Sequence, residues 1–293
     1  MAAQWTGQTG GTHWMQRALV GIIRHTNIRI VYGCMHLWLV WYILVRSAAR
    51  KGIYRYHRRR GRNRLQAAAD VYRSFYHFGQ AIIDRFAVFA GCSFEMEVEH
   101  KERYYSRVAS KEGMIMLISH AGNSEMAGYF MASPDKPMHI LFYGGESPVV
   151  TANRAKALAQ NNMNMIIVQP NDISHIYRIN EVLQHGDALT MAADRRIESN
   201  GSTIACTFLG EKALFPAGPF QICATMQRPV LLVFAFKESA RKYHIYTEEL
   251  TLNTSLSKRE QAQDLARQYA QRLEQMTLAH PYQWFNMYDF WEN

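Results

Sequence analysis

His120 and Glu125 are the two residues whose types and spacing suit acid–base chemistry. A histidine with a carboxylate within reach can act as a general base with an orienting partner. On one continuous helix, residues five apart point about 140° away from each other. We therefore predict that His120 precedes a helix, that Gly122 bends the backbone, and that Glu125 reaches back from the first helical turn. Spacing alone is equally compatible with a strand-end histidine and an unrelated surface glutamate.

The elements around these two residues predict where they lie. Residues 114–118 form an apolar run with the length and character of a buried strand. Residues 124–131 are predicted as a helix, with Asn123 or Ser124 as its N-cap. Strands and helices alternate from Phe94 onward, which is typical of βαβ units and a largely parallel sheet. Ligands bind such a sheet at the carboxyl ends of its strands, so we expect a ligand site here.

The alternation continues to the end of the chain. The remaining strands are predicted over residues 94–99, 138–143, 165–168, 188–193, 203–208, 230–236 and 244–249, the last as an edge strand, and residues 214–218 as a loop. The remaining helices are predicted over residues 102–110, 147–160, 174–184, 219–226 and 257–278, the last with a capping box at Ser257 and Glu260. Together they predict one α/β domain with a mostly parallel central sheet flanked by helices.

The amino-terminal part joins an apolar stretch to a basic block. Residues 30–45 contain no Asp, Glu, Lys or Arg, and residues 46–64 contain nine Lys or Arg and no acid. A full membrane span needs about 20 apolar residues. We therefore predict an N-terminal membrane-anchoring helix, either a short span or a helix in the interface, within one helix over residues 13–49. A buried core helix is the alternative. A second long helix is predicted over residues 62–90.

Charge indicates a partner for the basic block. The net charge is +9, and a basic segment beside an apolar helix suits anionic lipid at the cytoplasmic face of a membrane. Nucleic-acid binding is the weaker interpretation, because no recognition motif accompanies the block. We divide the chain into a tail with its membrane anchor, residues 1–50, and an α/β domain that starts with a basic helical segment, residues 51–293.

Missing motifs argue against several kinds of chemistry. The chain has no GxSxG elbow for a serine nucleophile, no GxxxxGK[ST] or GxGxxG loop for nucleotide phosphates, and no HExxH zinc motif. Its four cysteines are scattered without a CxxC pair, which argues against a disulfide framework or structural zinc and favours a reducing compartment. No metal or resident cofactor is therefore expected. A base and a carboxylate without an enzyme nucleophile point to direct attack by a sugar or lipid hydroxyl on an activated acyl group.

Two further stretches could contribute to such a site. Asp194-Arg195-Arg196 follows another predicted strand, so its guanidinium groups could meet at the same edge of the sheet. A surface ion pair that ends the strand is the alternative. Residues 215–220 could wall a substrate cleft or form a tight turn into a helix. A tetrahedral oxyanion needs preorganised donors, and an acyl thioester commonly brings phosphate, so guanidinium groups would be useful here.

Four blocks occur in an order that resembles a known family. They are EGMIMLISHAGNSE, AADRR, TFLGEKALFPAGPFQICATMQRPVLLVF and PYQWF. This order resembles the bacterial lipid A biosynthesis acyltransferases (the lauroyl and myristoyl transferases), part of the wider lysophospholipid and glycerol-phosphate acyltransferase superfamily. The resemblance covers about residues 94–291 and, in kind, the N-terminal anchor.

The resemblance implies a glycerol-phosphate acyltransferase-like fold and an O-acyltransferase. His120 would be the general base that takes the proton of the acceptor hydroxyl, and Glu125 would orient it and stabilise its charge. The matched motifs imply further positions at the site, for substrate binding and for shaping the cleft: Asn123, Asp194, Arg195, Arg196, Gly218 and Pro219.

The resemblance also implies partners and a compartment. The donor would be an acyl carrier protein thioester, with acyl-CoA as the other candidate co-substrate. The acceptor would be a membrane lipid or glycolipid at the cytoplasmic side of the bacterial inner membrane. An acidic carrier suits a basic protein. Ala121 and Ser124 stand where the family usually has bulky aromatics, which leaves the acceptor open between lipid A and another lipid. A non-catalytic lipid-binding membrane protein with the same fold is the alternative function.

Overall fold

A computed structural model describes residues 13–143, 155, 158–159, 161–169, 172–196 and 201–291 of the chain. Its strands are β1 Glu95–Val98, β2 Met114–Ile118, β3 Met138–Tyr143, β4 Met163–Val168, β5 Ala188–Ala192, β6 Thr203–Phe208, β7 Glu211–Pro216, β8 Val230–Ser239 and β9 Lys242–Leu250. Its helices are α1 His13–His25, α2 Ile28–Val45, α3 Ser47–Arg59, α4 Arg64–Phe89, α5 Lys101–Ala109, α6 Ser124–Met131, α7 Ser174–His185, α8 Ala217–Met226 and α9 Lys258–Ala279.

Seven strands form one sheet in the order β1-β9-β8-β2-β5-β3-β4. Neighbouring strands are parallel except β8 and β9, which are antiparallel. The central strand β2 is covered on both faces: Ile115 and Leu117 belong to one hydrophobic core, and Met114 and Met116 to the other. A strand buried on both faces has a continuous apolar sequence rather than an alternating one. The predicted α/β fold with a mostly parallel sheet is therefore confirmed.

Helices cover both faces of the sheet. The first core joins the sheet to α7, α8 and α9, through residues that include Ile179, Phe220 and Leu265. The second core contains residues of the helices on the other face, among them Ile23, Ile28, Ile83, Tyr104 and Met126. The predicted capping box at the start of α9 is present. With both faces covered, the ends of the sheet are left to the loops that follow each strand.

The amino-terminal segment is three helices and not the single helix predicted over residues 13–49. Asn27 interrupts it, because its side chain accepts a hydrogen bond from the N–H of Arg29 (3.0 Å) and so caps the start of α2. A second break lies at Arg46, between α2 and α3. The predicted boundary at residue 50 falls inside α3. Among the described helices, α2 is the one long and apolar enough to cross a membrane, and 17% of that stretch is buried.

Two further elements differ from the predictions, and a third lies outside the described residues. Residues 214–218 are not a loop, because residues 214–216 end β7, which pairs with β6 in an antiparallel hairpin, and residues 217–218 begin α8. The turn of the hairpin, Leu209-Gly210, has positive φ at both positions (52° and 77°), as a type I′ turn requires. β9 is not an edge strand, because β1 pairs with its outer side. The helix predicted over residues 147–160 falls almost entirely outside the described residues.

Candidate active site

The predicted base lies where two neighbouring strands end. β2 and β5 pair in parallel, with Ile118 opposite Ala192, and His120 and Asp194 follow two residues beyond. The imidazole Nδ1 of His120 lies 2.7 Å from Oδ1 of Asp194. The backbone N–H of His120 donates to Oδ2 of the same carboxylate (2.8 Å). Adjacent parallel strands thus join residues 74 positions apart, and we call them the His120–Asp194 pair.

Asp194 is a buried carboxylate held in its charged form. Its side chain is 1% exposed, and Oδ2 also accepts a hydrogen bond from the indole N–H of Trp284 (3.2 Å). Burial acts to raise the pKa of Asp194, but attraction to His120, the hydrogen bonds from it and the charge of Arg195 together lower that pKa below its ordinary value. An ionised carboxylate at this place holds the Nδ1–H tautomer of the imidazole.

His120 uses one of its two ring nitrogens in the described part of the protein. Its side chain is 33% exposed, so the ring reaches solvent although Nδ1 is bonded. Within the part of the chain that the structure describes, the ring is bonded through Nδ1 and not through Nε2. With the Nδ1 proton directed at the carboxylate, the Nε2 lone pair is the one that can accept a proton. The arrangement is that of a general base with an orienting carboxylate.

The turn after His120 contains the break that the spacing requires. Gly122 has φ +75°, and a Cβ there would overlap the carbonyl oxygen of Ala235 in β8, so glycine alone fits. Asn123 is the N-cap of α6, with Oδ1 accepting from the N–H of Met126 (3.4 Å). The predicted strand, turn and helix are therefore confirmed.

Glu125 does not pair with His120. It lies in the first turn of α6, where its carboxylate accepts hydrogen bonds from the guanidinium of Arg85 in α4, at 3.2 and 3.4 Å. A permanent cation is a stronger partner for a carboxylate than an imidazole, and the predicted pairing assumed no such competitor. The carboxylate that orients His120 is Asp194, which corrects that pairing. A direct part for Glu125 in the reaction stays a prediction.

Three of the predicted substrate-binding residues lie next to the pair. The side-chain amide of Asn123 donates to the carbonyl oxygen of Ala81 in α4 (3.1 Å) and to a tyrosine hydroxyl of β9 (3.3 Å). Nη2 of Arg195 donates to the carbonyl oxygen of Phe285 (3.1 Å). Arg196 follows it and is half-buried. The bonds of Asn123 hold the turn in position. Contact of Asn123, Arg195 or Arg196 with substrate stays a prediction.

Gly218 and Pro219 lie in the first turn of α8. Proline suits this place because the first N–H groups of a helix have no partner within it. The next residue, Phe220, packs against the ring of Tyr269, with centroids 5.5 Å apart. The hydroxyl of Tyr269 donates to the carbonyl oxygen of Ile118 at the end of β2 (2.9 Å). α8 thus contacts Tyr269 of α9, and Tyr269 in turn bonds the end of β2. Shaping of the cleft by Gly218 and Pro219 stays a prediction.

Trp284 and Arg85 belong to the site but are absent from the residues predicted for it. Trp284 lies in the block PYQWF, which carries part of the resemblance without indicating a chemical role. Arg85 lies inside α4, and nothing in its local sequence points to Glu125. Trp284 reaches the site from the tail after α9, and Arg85 reaches it from α4. Local sequence patterns do not reveal such tertiary packing.

Among the described residues, one group of three side chains has the spacing of metal ligands: Glu97, Glu238 and His244. They lie on the edge strand β1 and on β8 and β9. The ammonium of Lys242 sits among them, 2.7 Å from the Glu97 carboxylate and 3.2 Å from that of Glu238. Because the ammonium lies between the two carboxylates and would repel a metal ion placed there, these contacts are those of an ion-pair cluster.

The match to one family model agrees with the resemblance. The family model described as bacterial lipid A biosynthesis acyltransferase matches residues 73–292, a range that includes every candidate site residue. Among solved structures, the chain is similar to the crystal structure of the 1-acyl-sn-glycerophosphate (LPA) acyltransferase PlsC from Thermotoga maritima. The two are 13% identical, with a TM-score of 0.42, over 87% of this chain and 97% of that chain. No curated protein matches the chain.

Proposed function

Because the chain belongs to the family of bacterial lipid A biosynthesis acyltransferases, we propose that it moves a fatty acyl group from a thioester to a hydroxyl of a membrane lipid or glycolipid, with His120 as the general base. The His120–Asp194 pair is the observation that supports His120 as the base, because its geometry leaves Nε2 of His120 open at the carboxyl edge of the sheet. The proposed donor is an acyl carrier protein thioester, and the proposed acceptor is lipid A or a related lipid.

The base acts on the acceptor. Nε2 of His120 takes the proton of the acceptor hydroxyl while the oxygen attacks the thioester carbonyl. The C–O bond forms, the C–S bond of the tetrahedral intermediate breaks, and the imidazolium returns the proton to the leaving thiolate. Throughout, Asp194 accepts the Nδ1–H bond and stabilises the positive ring. General-base catalysis of this kind contributes about 10²- to 10⁴-fold in rate.

Direct transfer is favoured over an acyl-enzyme by the state of two cysteines in the first core and of the serine before His120. Cys206 and Cys223 are buried, and burial raises the pKa of Cys206 to about 11 and that of Cys223 further. Neither thiol is therefore a thiolate near neutral pH. The hydroxyl of Ser119 is buried and accepts a hydrogen bond from the N–H of Ala121 (3.0 Å). A buried hydroxyl is not available to a thioester that enters from solvent or lipid.

We infer that α2 lies in the plane of the membrane interface. One stripe of the helix packs inward, through Ile28, Val31, Tyr32 and Leu39. The opposite stripe is as apolar but faces outward: Leu37 is 79% exposed, Trp38 72% and Trp41 63%. Soluble proteins rarely leave so large an apolar surface in water, whereas tryptophan and leucine on one side of a helix suit the boundary between headgroups and acyl chains.

The neighbour of α2 argues against a spanning position. α4 packs beside it, with the ring of Tyr42 against that of Phe75 at a centroid distance of 5.8 Å. α4 contains charged residues that are costly to place in hydrocarbon: Asp70, Arg73, Asp84 and Arg85. The cations of α3 follow directly after α2 and suit the anionic cytoplasmic leaflet. We therefore propose the cytoplasmic side of the bacterial inner membrane as the location of the domain.

Co-sedimentation with phosphatidylglycerol vesicles tests the interfacial position. The double variant Trp38→Ser/Trp41→Ser should lose most of the wild-type binding, because it removes two large apolar side chains from the exposed stripe. Tyr177→Ser is the matched control, since Tyr177 of α7 is as exposed as Trp38, at 72%. Binding of the double variant at the wild-type level would show that α2 does not contact lipid.

Purified His120→Asn tests the base. With an acyl carrier protein thioester and a lipid A precursor in detergent micelles, kcat should fall by at least about 10²-fold while the fold is retained. His139→Asn is the matched control, because His139 also pairs with an aspartate, Asp187 (3.0 Å), at the amino ends of β3 and β5. Transfer by His120→Asn at the wild-type rate would overturn the proposed base.

Lipid mass spectrometry of cells with and without the gene identifies the acceptor and the acyl chain together, because one mass shift reports both. The transfer assay in detergent micelles, repeated with the coenzyme A thioester, decides between the two donors. An unchanged lipid profile, with acyl chains still bound by the purified protein, would favour a non-catalytic lipid-binding protein instead.

A further inference from the structure

The tail after α9 lies against the turn that carries the base. We call residues 283–285 the tail strap. The N–H of Phe285 donates to the carbonyl oxygen of His120 (2.8 Å), and the N–H of Gly122 donates to the carbonyl oxygen of Gln283 (2.6 Å). An antiparallel β-bridge joins the same two segments. The tail strap therefore fixes the backbone that leaves the base, on both sides of Ala121.

The tail strap is also bound to the neighbouring strand ends. The side-chain amide of Gln283 brackets Lys237 in β8: its oxygen accepts from the N–H of Lys237 (2.9 Å), and its nitrogen donates to the carbonyl oxygen (2.9 Å). On the side of β5, Arg195 donates to the carbonyl oxygen of Phe285 (3.1 Å). The three strands whose ends build the site, β2, β5 and β8, are thus held by one short segment.

Trp284 is the residue of the tail strap that contacts the pair. It is 2% exposed, and its ring packs edge-on against Tyr56 and Phe208, with centroids 5.0 and 5.2 Å apart. Its indole N–H donates to Oδ2 of Asp194 (3.2 Å), the oxygen that does not bind the ring of His120. A donor on Oδ2 fixes the rotation of the carboxylate, which directs Oδ1 at Nδ1. It also draws negative charge away from the imidazole.

We propose that Trp284 is a positioning residue for the acyl transfer, and that its indole N–H sets the orientation and charge of Asp194, which in turn holds His120. The inference rests on the proposed function, which gives the His120–Asp194 pair its use. Other titratable groups that face Asp194 are Arg195, Tyr269 and Tyr288, and all three stay unchanged in the test.

Trp284→Phe removes the N–H and keeps an aromatic ring. We expect kcat to fall about tenfold, the scale of one hydrogen bond to a charged group, with an unchanged KM for the thioester. The acidic limb of kcat/KM should move to higher pH, because a carboxylate with one donor fewer attracts the imidazolium more strongly. Trp291→Phe is the matched control, since the indole of Trp291 also donates to a carbonyl, that of Phe208 (3.3 Å), in the same aromatic cluster. It should keep the wild-type kcat and pH profile.

Benzothienylalanine in place of Trp284 separates hydrogen bonding from packing, because sulfur replaces the N–H and the two-ring shape is kept. A wild-type kcat and an unmoved acidic limb in this variant would overturn the proposal, whatever Trp284→Phe does. In an Asp194→Asn background, Trp284→Phe should cost no further activity, and an additional loss of about tenfold would also overturn it. Transfer by His120→Asn at the wild-type rate would instead overturn the proposed function, so the two failures are distinguishable.

Discussion

Asp194→Asn should nearly abolish acyl transfer while it leaves the packing intact. Oδ2 of Asp194 accepts two donors, the backbone N–H of His120 (2.8 Å) and the indole N–H of Trp284 (3.2 Å). An asparagine must therefore place its carbonyl oxygen at that position, and its NH2 group then faces Nδ1 of the imidazole. Because the NH2 group only donates, Nδ1 must become the acceptor. The ring proton moves to Nε2, and the lone pair that would take the acceptor proton is lost.

The size of the effect follows from this change of tautomer. The variant loses most of the general-base contribution, which is about 10²- to 10⁴-fold. It also loses the negative charge beside the imidazolium, so the remaining molecules with the correct tautomer react more slowly. We expect kcat to fall about 10³-fold, which corresponds to about 4 kcal/mol of transition-state stabilisation. KM for the thioester should change little, because Asp194 is buried and both of its carboxylate oxygens are bonded within the protein.

Transfer from an acyl carrier protein thioester in detergent micelles measures this loss, and thermal unfolding confirms that the variant is folded. Asp187→Asn is the matched control, because it makes the same chemical change at the other end of β5, where Asp187 pairs with His139 (3.0 Å). It should retain wild-type kcat. If Asp194→Asn stayed within about tenfold of wild type while His120→Asn was inactive, the tautomer argument would be refuted.

Three further predictions concern residues around the site. Glu125→Gln should lower kcat by less than about tenfold, because its ion pair with α4 is partly exposed and such pairs contribute little; a loss of about 10³-fold would give Glu125 a direct role. Lys237→Met should lower the free energy of unfolding in urea by about 3 to 5 kcal/mol, because it leaves the buried Asp84 carboxylate without its cation at 2.5 Å. Lys237→Met/Asp84→Leu should recover part of that loss, and equal losses would contradict the argument. Burial lowers the pKa of His57 from 6.5 to about 4, so the unfolded chain binds more protons between these values. The contribution of His57 to the free energy of unfolding should be fully present above pH 6.5 and decrease as the pH drops toward 4, and His57→Gln should flatten that part of the pH dependence in urea unfolding.

The segment around His120 could be predicted residue for residue because its signals are local. The apolar run gives β2, Gly122 gives the turn and Asn123 caps α6, and the observed bounds of strand and helix equal the predicted ones. The family could be predicted for the same reason, since its motifs are short continuous blocks.

The partner of His120 could not be predicted because strand order is not a local property. β2 and β5 are neighbours although β3 and β4 lie between them in the sequence. Glu125 is close to His120 along the chain, whereas Asp194 is close in space. The break of the first helix at Asn27 escaped prediction for a different reason: an asparagine cap inside a long helical pattern competes with continuation of the helix, and its outcome depends on packing.

A second histidine has the neighbours of a catalytic triad without its chemistry. Nε2 of His57 lies 2.9 Å from Oγ of Ser74, and Nδ1 lies 4.0 Å from the carboxylate of Asp70. Arg60 donates to Nδ1 (2.9 Å), and a guanidinium only donates. The proton of the neutral ring therefore sits on Nε2, and the ring donates to the serine instead of accepting its proton. All three side chains of this apparent triad are buried.

The contrast between the two histidines locates the base by the partner of Nδ1. In His57 a guanidinium forces the proton onto Nε2 and makes the ring a structural donor. In His120 an ionised carboxylate accepts from Nδ1 and leaves the Nε2 lone pair open on a side chain that is 33% exposed. Whatever keeps Asp194 ionised and correctly rotated therefore decides whether His120 can act as a base. This is why the indole N–H of Trp284, distant in sequence from both residues, is expected to affect kcat rather than substrate binding.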